Sequence, residues 1–544
     1  MAILLASVGS LALGGPALAD SPQTDSQLRP GDLLVSTSVF SNDPNIVVGT
    51  PLPPGCGTNI YNTPCGFAVA DGTYPYVFNN DTVDSHFGIT SKIVLQELNP
   101  GGHLKGSIEV PNSSQNDIGP NTDQMVTSFS SKSELSLNLS TAGNYVTFMG
   151  YKAAVDTSDV SNASTPGVVD VTNPVVPTYY RVVAQLGQDG TFHYTETNAY
   201  SGDNGRAAIL NEADNLLYTA GNAGNGNNPE PQGVVLGAGA QLIQPSALPE
   251  SAQVPGQPTP LASFNVTEQL GYPKEKVAKD NNFRAVAVYN NVVYYVKGSG
   301  SNGVDTVYFV DTNNSCAGGS GLPAPGASLP TASSLAYNAN EGGKANPGLT
   351  PQNLCILKGF PTVSAKTADD TTDYPFGIWF AGPNTIYVAD EGAGDNSFDG
   401  SQYSAAATST SAGVQKWVFD SVTQSWKLAY TMQDGLNLGV PYAVAGYPTG
   451  INGGSSGTGL PWAPGTDGLR NLVGRVNDDG TVTLWAVTST VSGSGDQGAD
   501  PDKLVTITDN LEATALPTGE KFRTLETAPA GTVLRGVSFT PGTH

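Results

Sequence analysis

The chain has 544 residues with 47 acidic against 23 basic side chains, a formal net charge of -24, 65 glycines, 39 prolines and 13% charged residues. That balance excludes a nucleic-acid backbone or an anionic membrane surface as the main partner, since both need a basic footprint. The glycine and proline load describes many turns joining short strands and argues against long helices.

Met1 to Asp20 is apolar through Leu13 and ends on Ala17-Leu18-Ala19, the small-residue pattern that signal peptidase cuts, although no basic stretch precedes it. Residues 1–19 are therefore expected to be a signal peptide and 20–544 a single domain, in a secreted or periplasmic protein. No later apolar run reaches membrane length, so no integral membrane segment is expected. Four cysteines suit an oxidising compartment, and their spacing predicts two local disulfides, Cys56–Cys65 and Cys316–Cys355. Neither pair has Cys-x-x-Cys spacing and the only histidines are His86, His103, His193 and His544, which makes zinc a poor reading.

Strand-like runs follow in order. Asp32 to Phe40, Lys92 to Leu98 and Leu104 to Val110 make three strands, the last two joined by the turn Asn99-Pro100-Gly101-Gly102. From Glu134 onward a unit recurs: strand, tight turn, strand, long loop, strand, tight turn, strand. Its copies are expected near 134–200, 206–267, 284–359, 376–433 and 470–527. Gly-Ser-Gly-x-x-Gly-x-Asp recurs in the long loops of two of them, at Gly298 to Asp305 and Gly493 to Asp500, which marks a true repeat. The last apolar run, Leu534 to Phe539, has no partner after it, and an unpaired inner strand is a liability. Asp32 to Phe40 is the strand left over. The expected fold is all-β: a six-bladed β-propeller of four-stranded antiparallel blades, its first blade split between 534–544 and 32–110, closed by pairing the C-terminal strand with the N-terminal ones.

That architecture, with strand openings such as Leu534-Arg535-Gly536-Val537, resembles secreted six-bladed propellers of the NHL and gluconolactonase-like kind over nearly all of residues 20–544. For gluconolactonase-like members the resemblance implies a divalent metal held by a Glu/Asn/Asp set, and no positions here match that set residue by residue.

Loop lengths orient the ring. The long loops and the starts of the inner strands share one face, where functional residues are expected on loops held by a rigid scaffold. Arg206, Arg284, Arg470 and Arg535 take the same inner-strand position in four blades, with Phe376 and Glu134 in the other two, and Asp203, Asp280, Asp373 and Asp467 precede several of them. One reading is a ring of guanidinium groups gripping a carboxylate, phosphate or sulfate. The other is a set of staples, each arginine pairing with a nearby aspartate to hold adjacent blades. The glycine-rich loops lack the helix that a dinucleotide fingerprint needs, so their glycines read as a tight backbone path with Asp305 and Asp500 capping amides. Calcium is the candidate cofactor, through Asp496, Asp500 and Asp502 in one loop or Asp390, Glu391, Asp395 and Asp399 in another, though neither has EF-hand spacing. His86 beside Asp84 is a candidate general base with Arg535 as electrostatic partner, and Glu391 a candidate acid/base. Gly453 to Gly457 matches a nucleophile elbow without its strand-turn-helix context, and Trp462 is a candidate sugar-stacking residue. The expected function is an exported, monomeric binding or scaffold protein taking a small anionic or carbohydrate-type ligand at the channel mouth. The alternative is a secreted hydrolase or lyase on the same face, with calcium as its candidate helper.

Overall fold

In the structure, a computed structural model, the strand Leu33–Val39 lies between the strand Thr90–Leu98 and the C-terminal strand Thr532–Phe539, antiparallel to both. The register pairs Leu33 with Phe539 and Val35 with Val537, so the two ends of the chain share one sheet, completed by Leu104–Glu109. The described residues are 27–52, 66–84, 87–112, 125–166, 177–222, 239–245, 260–264, 266–268, 282–298, 303–313, 315–316, 319–331, 354–363, 373–454 and 456–544. The expected signal peptide, Cys56, Cys65, His86 and Asp280 lie outside them.

Five further blades follow, and each inner strand packs beside that of the next blade in chain order until Gly465–Val476 of the sixth meets Thr532–Phe539 of the first. The inner strands of blades two to five are Asn138–Leu139, Gly205–Asn211, Phe283–Tyr289 and Pro375–Gly382. Every residue of Gly205–Asn211 and Thr532–Phe539 is buried, whereas the outer strands Leu104–Glu109 and Arg523–Thr527 are largely exposed. The cores therefore sit between blades. Leu33, Val35, Leu534, Val537 and Phe539 of the first blade pack with Trp485 and Val487 of the sixth. Each such side chain contributes roughly 1.5–3 kcal/mol by leaving water.

Short turns set the hairpins. Asn290 and Asn291 have φ of 48° and 59°, the left-handed pair that a two-residue turn between right-twisted strands requires. The Asn99 side chain accepts from the amides of Gly101 and His103, closing the turn of the first blade. The disulfide Cys316–Cys355 is present, and His103 and His193 are exposed.

Three features depart from the sequence reading. The inner strand of the second blade is regular only over Asn138–Leu139, because Leu135 takes φ of 61° and turns Glu134 into the interior. There Glu134 accepts hydrogen bonds from Thr127 Oγ1, the Ser128 amide and the Tyr151 hydroxyl. Val266–Glu268 adds to the fourth blade as a parallel edge strand beside Leu354–Ile356, whereas the sequence pattern ended the third blade there. The glycine-rich repeat does provide close backbone passage, but its aspartates do not cap amides. A Cβ on Gly298 would lie 1.9 Å from the Pro375 carbonyl oxygen, and one on Gly495 2.1 Å from that of Phe78. Asp305 instead pairs with the buried Lys297 at 2.6 Å, and Asp500 accepts from the Tyr447 hydroxyl.

Blades five and six are pinned by a buried ion pair, Lys416 Nζ to Asp509 at 2.9 Å, with the hydroxyls of Tyr387 and Tyr430 donating to the same carboxylate. Blades one and two meet through bare backbone: a Cβ on Gly536 would stand 2.4 Å from the Leu135 carbonyl oxygen and 2.7 Å from the Leu137 nitrogen. Gly536→Val should therefore wedge the ring at its closing blade and cost about 1–3 kcal/mol or more, read as a lower urea midpoint. An unchanged midpoint would contradict the close approach.

Candidate functional site

The arginines that open the inner strands are all buried: Arg535 in the first blade, Arg206 in the third, Arg284 in the fourth and Arg470 in the sixth. Strand pairing puts them there, since Pro375 at the start of one inner strand pairs with Asp390 at the end of the next strand, which brings long-loop residues beside the inner-strand starts. Glu391, the residue after that strand, is the hub. It forms an ion pair with Arg284 Nη2 at 3.3 Å and accepts a hydrogen bond from Arg470 Nε at 3.3 Å, linking the fourth and sixth blades across the fifth. Phe376, which holds the arginine position in the fifth blade, sets its ring 5.8 Å from Arg284 Cζ.

The other two arginines bind backbone. Arg535 donates from Nε to Ser38 Oγ at 3.1 Å and from Nη2 to the carbonyls of Phe129 and Gly498. Arg206 donates from Nη1 to Asn282 Oδ1 and to the Phe283 carbonyl. The preceding aspartates are used otherwise: Asp373 accepts from Gln415 and Asp467 from the Gly394 amide at 2.7 Å. Blades are thus stapled by arginine, through Glu391 and carbonyl oxygens. Among the described residues, Arg206 Nε and Arg535 Nη1 are buried with no hydrogen-bond partner. Burial, then the charge of Arg284, pulls the Arg206 guanidinium below its ordinary pKa; burial, then Arg470, does so for Arg535.

The carboxyls around this ring are driven apart. Burial alone would raise Glu391, but Arg284 and Arg470, then Lys132, outweigh it and hold the group below its usual range. Asp467 has a raised pKa of about 7, mainly through burial. Burial likewise raises Asp390 to about 8, Asp500 to about 7 and Asp502 to about 8. Lys132, half-buried in the loop before the second blade, was not singled out by the sequence pattern because it belongs to no strand register. Its charge reaches Glu391, Asp467 and Asp81.

Asp84 closes the short turn that follows Tyr76–Thr82 and lies near the carboxyls of Asp81 and Asp159. The carboxylates considered for calcium serve the chain itself: Asp390 accepts from the Tyr374 and Gly392 amides, Asp496 from Gly498, Asp502 from Leu534. Among the described residues no group of three or more His, Cys, Asp or Glu side chains converges as metal ligands.

A roof covers part of the mouth. Tyr442 and Tyr447, from the segment between blades five and six, donate to the Pro501 carbonyl and to Asp500. Asn452 and Asn79 bond each other across to the first blade. Trp462 is 3% exposed and packs edge-on against Tyr76 and Tyr447, so its ring serves the roof and is not open for a sugar to stack on.

No protein-family model matches the sequence, and comparison with curated proteins finds no match. Among solved structures, the periplasmic gluconolactonase PpgL of Pseudomonas aeruginosa aligns at 8% identity and a TM-score of 0.34, covering 84% of this chain and 98% of that one. A chain of the mitotic checkpoint complex aligns at 9% and 0.25, covering 77% and 88%. An acylaminoacyl peptidase aligns at 9% and 0.25, covering 80% of this chain and 41% of that one. Likeness at this level carries no argument about activity, and the six-bladed ring rests on the strand pairing itself. No helix among the described residues is long and apolar enough to cross a membrane.

The raised carboxyls predict a pH dependence. A group whose folded pKa lies above its unfolded value stabilises the fold fully below the unfolded value, here 3.8, and loses that contribution as pH rises through the folded one. With Asp467 and Asp500 at about 7 and Asp390 and Asp502 at about 8, the loss falls between roughly pH 4 and pH 8. Glu391, held low, acts in the opposite sense only at more acidic pH. The melting temperature should be higher near pH 5 than near pH 8.5, and a flat or rising profile would mean that these carboxyls ionise freely.

Proposed function

We propose that this chain is an exported β-propeller that binds a small anionic ligand, of carboxylate, phosphate or sulfate type, at the arginine-bearing mouth of its channel. The observation that carries the reading is a set of cationic nitrogens left without partners. Among the described residues Arg206 Nε and Arg535 Nη1 are buried and unbonded, and Lys132 makes no ion pair. Like charges gathered in a low-dielectric setting raise one another's energy, and an anion between them relieves it. The Cys316–Cys355 disulfide supports export, since such bonds persist in oxidising compartments.

A second reading is favoured by one observation: Glu391 is held ionised while Asp467 is raised to about 7, a pair of carboxyls pushed apart as acid/base chemistry requires. In that case the same mouth is the active site of a hydrolase or lyase acting on a carboxylated substrate.

Thermal melts in citrate, galacturonate and phosphate, against chloride at equal ionic strength, test the binding reading. A saturating rise is expected, about 2.7 kcal/mol at a ligand concentration of a hundred times Kd. Lys132→Met should lose most of that rise, measured against its own ligand-free melt, which loss of the charge beside Glu391 and Asp467 lowers. If no anion raises the melt, the binding reading falls. Turnover of a lactone or uronate ester that disappears in Asp467→Asn would move the assignment to the enzyme.

A further inference from the structure

A cavity lies at the end of the same strands opposite the mouth. Arg284 begins the inner strand of the fourth blade at the mouth, and Tyr289 ends it on the opposite face. Beside Tyr289 is a cavity of about 350 Å³, between the fourth and fifth blades and beneath the segment Leu322 to Ala327. Its volume lies in the range of roughly 300–1,000 Å³ typical of small-ligand sites.

The walls are aromatic. Tyr289 and Phe380 lie parallel, with ring centroids 4.5 Å apart and an interplanar angle of 2°, and Tyr294 leans on Phe380 at 4.6 Å. Phe419 and Trp426, 5.5 Å apart, form the other side. Tyr289, Phe380 and Phe419 are only half-buried, so ring surface is left to the cavity. The polar rim is made of amides: Asn290, Asn291, Asn384 and Gln424, all exposed. Among the described residues the side chains of Asn290, Asn291 and Asn384 and the Tyr289 hydroxyl have no hydrogen-bond partner within the protein, and no lining side chain is charged.

The site is built to keep its shape. Asn290-Asn291 and Pro383-Asn384 occupy the tight turns of adjacent blades, held by the strand ladders. The segment above is anchored before Leu322 by the Cys316–Cys355 disulfide and by the Lys358 amide donating to the Gly321 carbonyl at 2.8 Å. Beyond Ala327 it is held by the Tyr218 hydroxyl donating to the Pro330 carbonyl at 2.8 Å. Leu322 and Ala327 pack on the core between the two blades.

We infer that this cavity is a binding site for a neutral saccharide of one or two pyranose units, separate from the arginine mouth. A pyranose ring offers an apolar C–H face and a rim of hydroxyls that both donate and accept. Aromatic rings cover the first, and side-chain amides, which carry donor and acceptor together, match the second. An anion finds no cation here. A purely apolar ligand would leave the amide rim facing it unpaired, a cost that hydroxyls avoid.

The test is saturation-transfer NMR on the full chain with cellobiose, maltose and diacetylchitobiose at millimolar concentration, with Kd from the fluorescence titration of the best of them. Transfer to the sugar C–H protons is expected for at least one. Phe380→Leu, which keeps an apolar side chain of similar reach, and Asn384→Ala, which removes an exposed side chain and keeps the backbone carbonyl that the Phe419 amide uses, should each weaken it about tenfold. Lys132→Met at the mouth should bind the sugar as the wild type does. The proposal is overturned if none of the three sugars shows transfer, if affinity is unchanged in Asn384→Ala and Phe380→Leu, or if indole binds where the sugars do not.

Discussion

The structure depends on one pairing, that of Leu33–Val39 with Thr532–Phe539. Each blade is apolar on both faces and buries one against each neighbour, so a ring with a missing seam exposes the flanks of the two blades that border it. Closure by hydrogen-bonded strands, rather than by side-chain packing alone, makes that seam a sheet like any other. It also fixes the channel. Arg535 reaches Phe129 and Gly498 from the closing strand, so the chain end that completes the ring also delivers one of the mouth's four guanidinium groups.

At the mouth, the same groups hold blades together and gather charge. Glu391 takes two arginines at once, which ties three blades to one carboxylate and keeps it ionised in an interior that raises Asp390 beside it. Buried pairs of this kind contribute little net stability over apolar packing, but breaking one partner leaves a bare charge, so they specify one arrangement of blades strongly. A scaffold that needs such groups for assembly can still present the nitrogens that assembly does not use. The cavity beside Tyr289, at the far end of the strands, follows a different chemistry, aromatic and amide with no charged side chain in its lining.

Much of this was legible in the sequence. Alternating apolar runs, tight turns and an orphan last strand give the ring, its closure and the shared register of Arg206, Arg284, Arg470 and Arg535, because these are local signals repeated six times. The Cys316–Cys355 bridge follows from spacing within one insertion. What was not legible depends on contacts between distant segments: the turn at Leu135 that swings Glu134 inward, the parallel strand Val266–Glu268, Lys132, and the roof that buries Trp462. Glu391 stood out as a carboxylate, but its two arginines lie in blades on either side of its own, a relation no periodicity encodes. One usable signal lay beside four of the six ring positions: Ala207, Ala285, Gly377 and Gly536 are small, whereas Leu135 and Asn471 follow the other two, and at Gly377 and Gly536 a Cβ would stand 2.5 and 2.4 Å from a carbonyl oxygen of the next blade.

The register of the closing pair has a mechanical consequence. Leu33 sits opposite Phe539 and Val39 opposite Thr532, so the chain enters and leaves the seam at the same end. A pull between the two termini therefore acts across the strands and peels them one hydrogen bond at a time, as a zip opens, instead of loading all of the bonds together in shear. The Thr540 amide on the Asp32 carbonyl and the Gly31 amide on Thr543 Oγ1 are the first bonds such a force meets. Tension applied at the ends of the ring finds its softest direction.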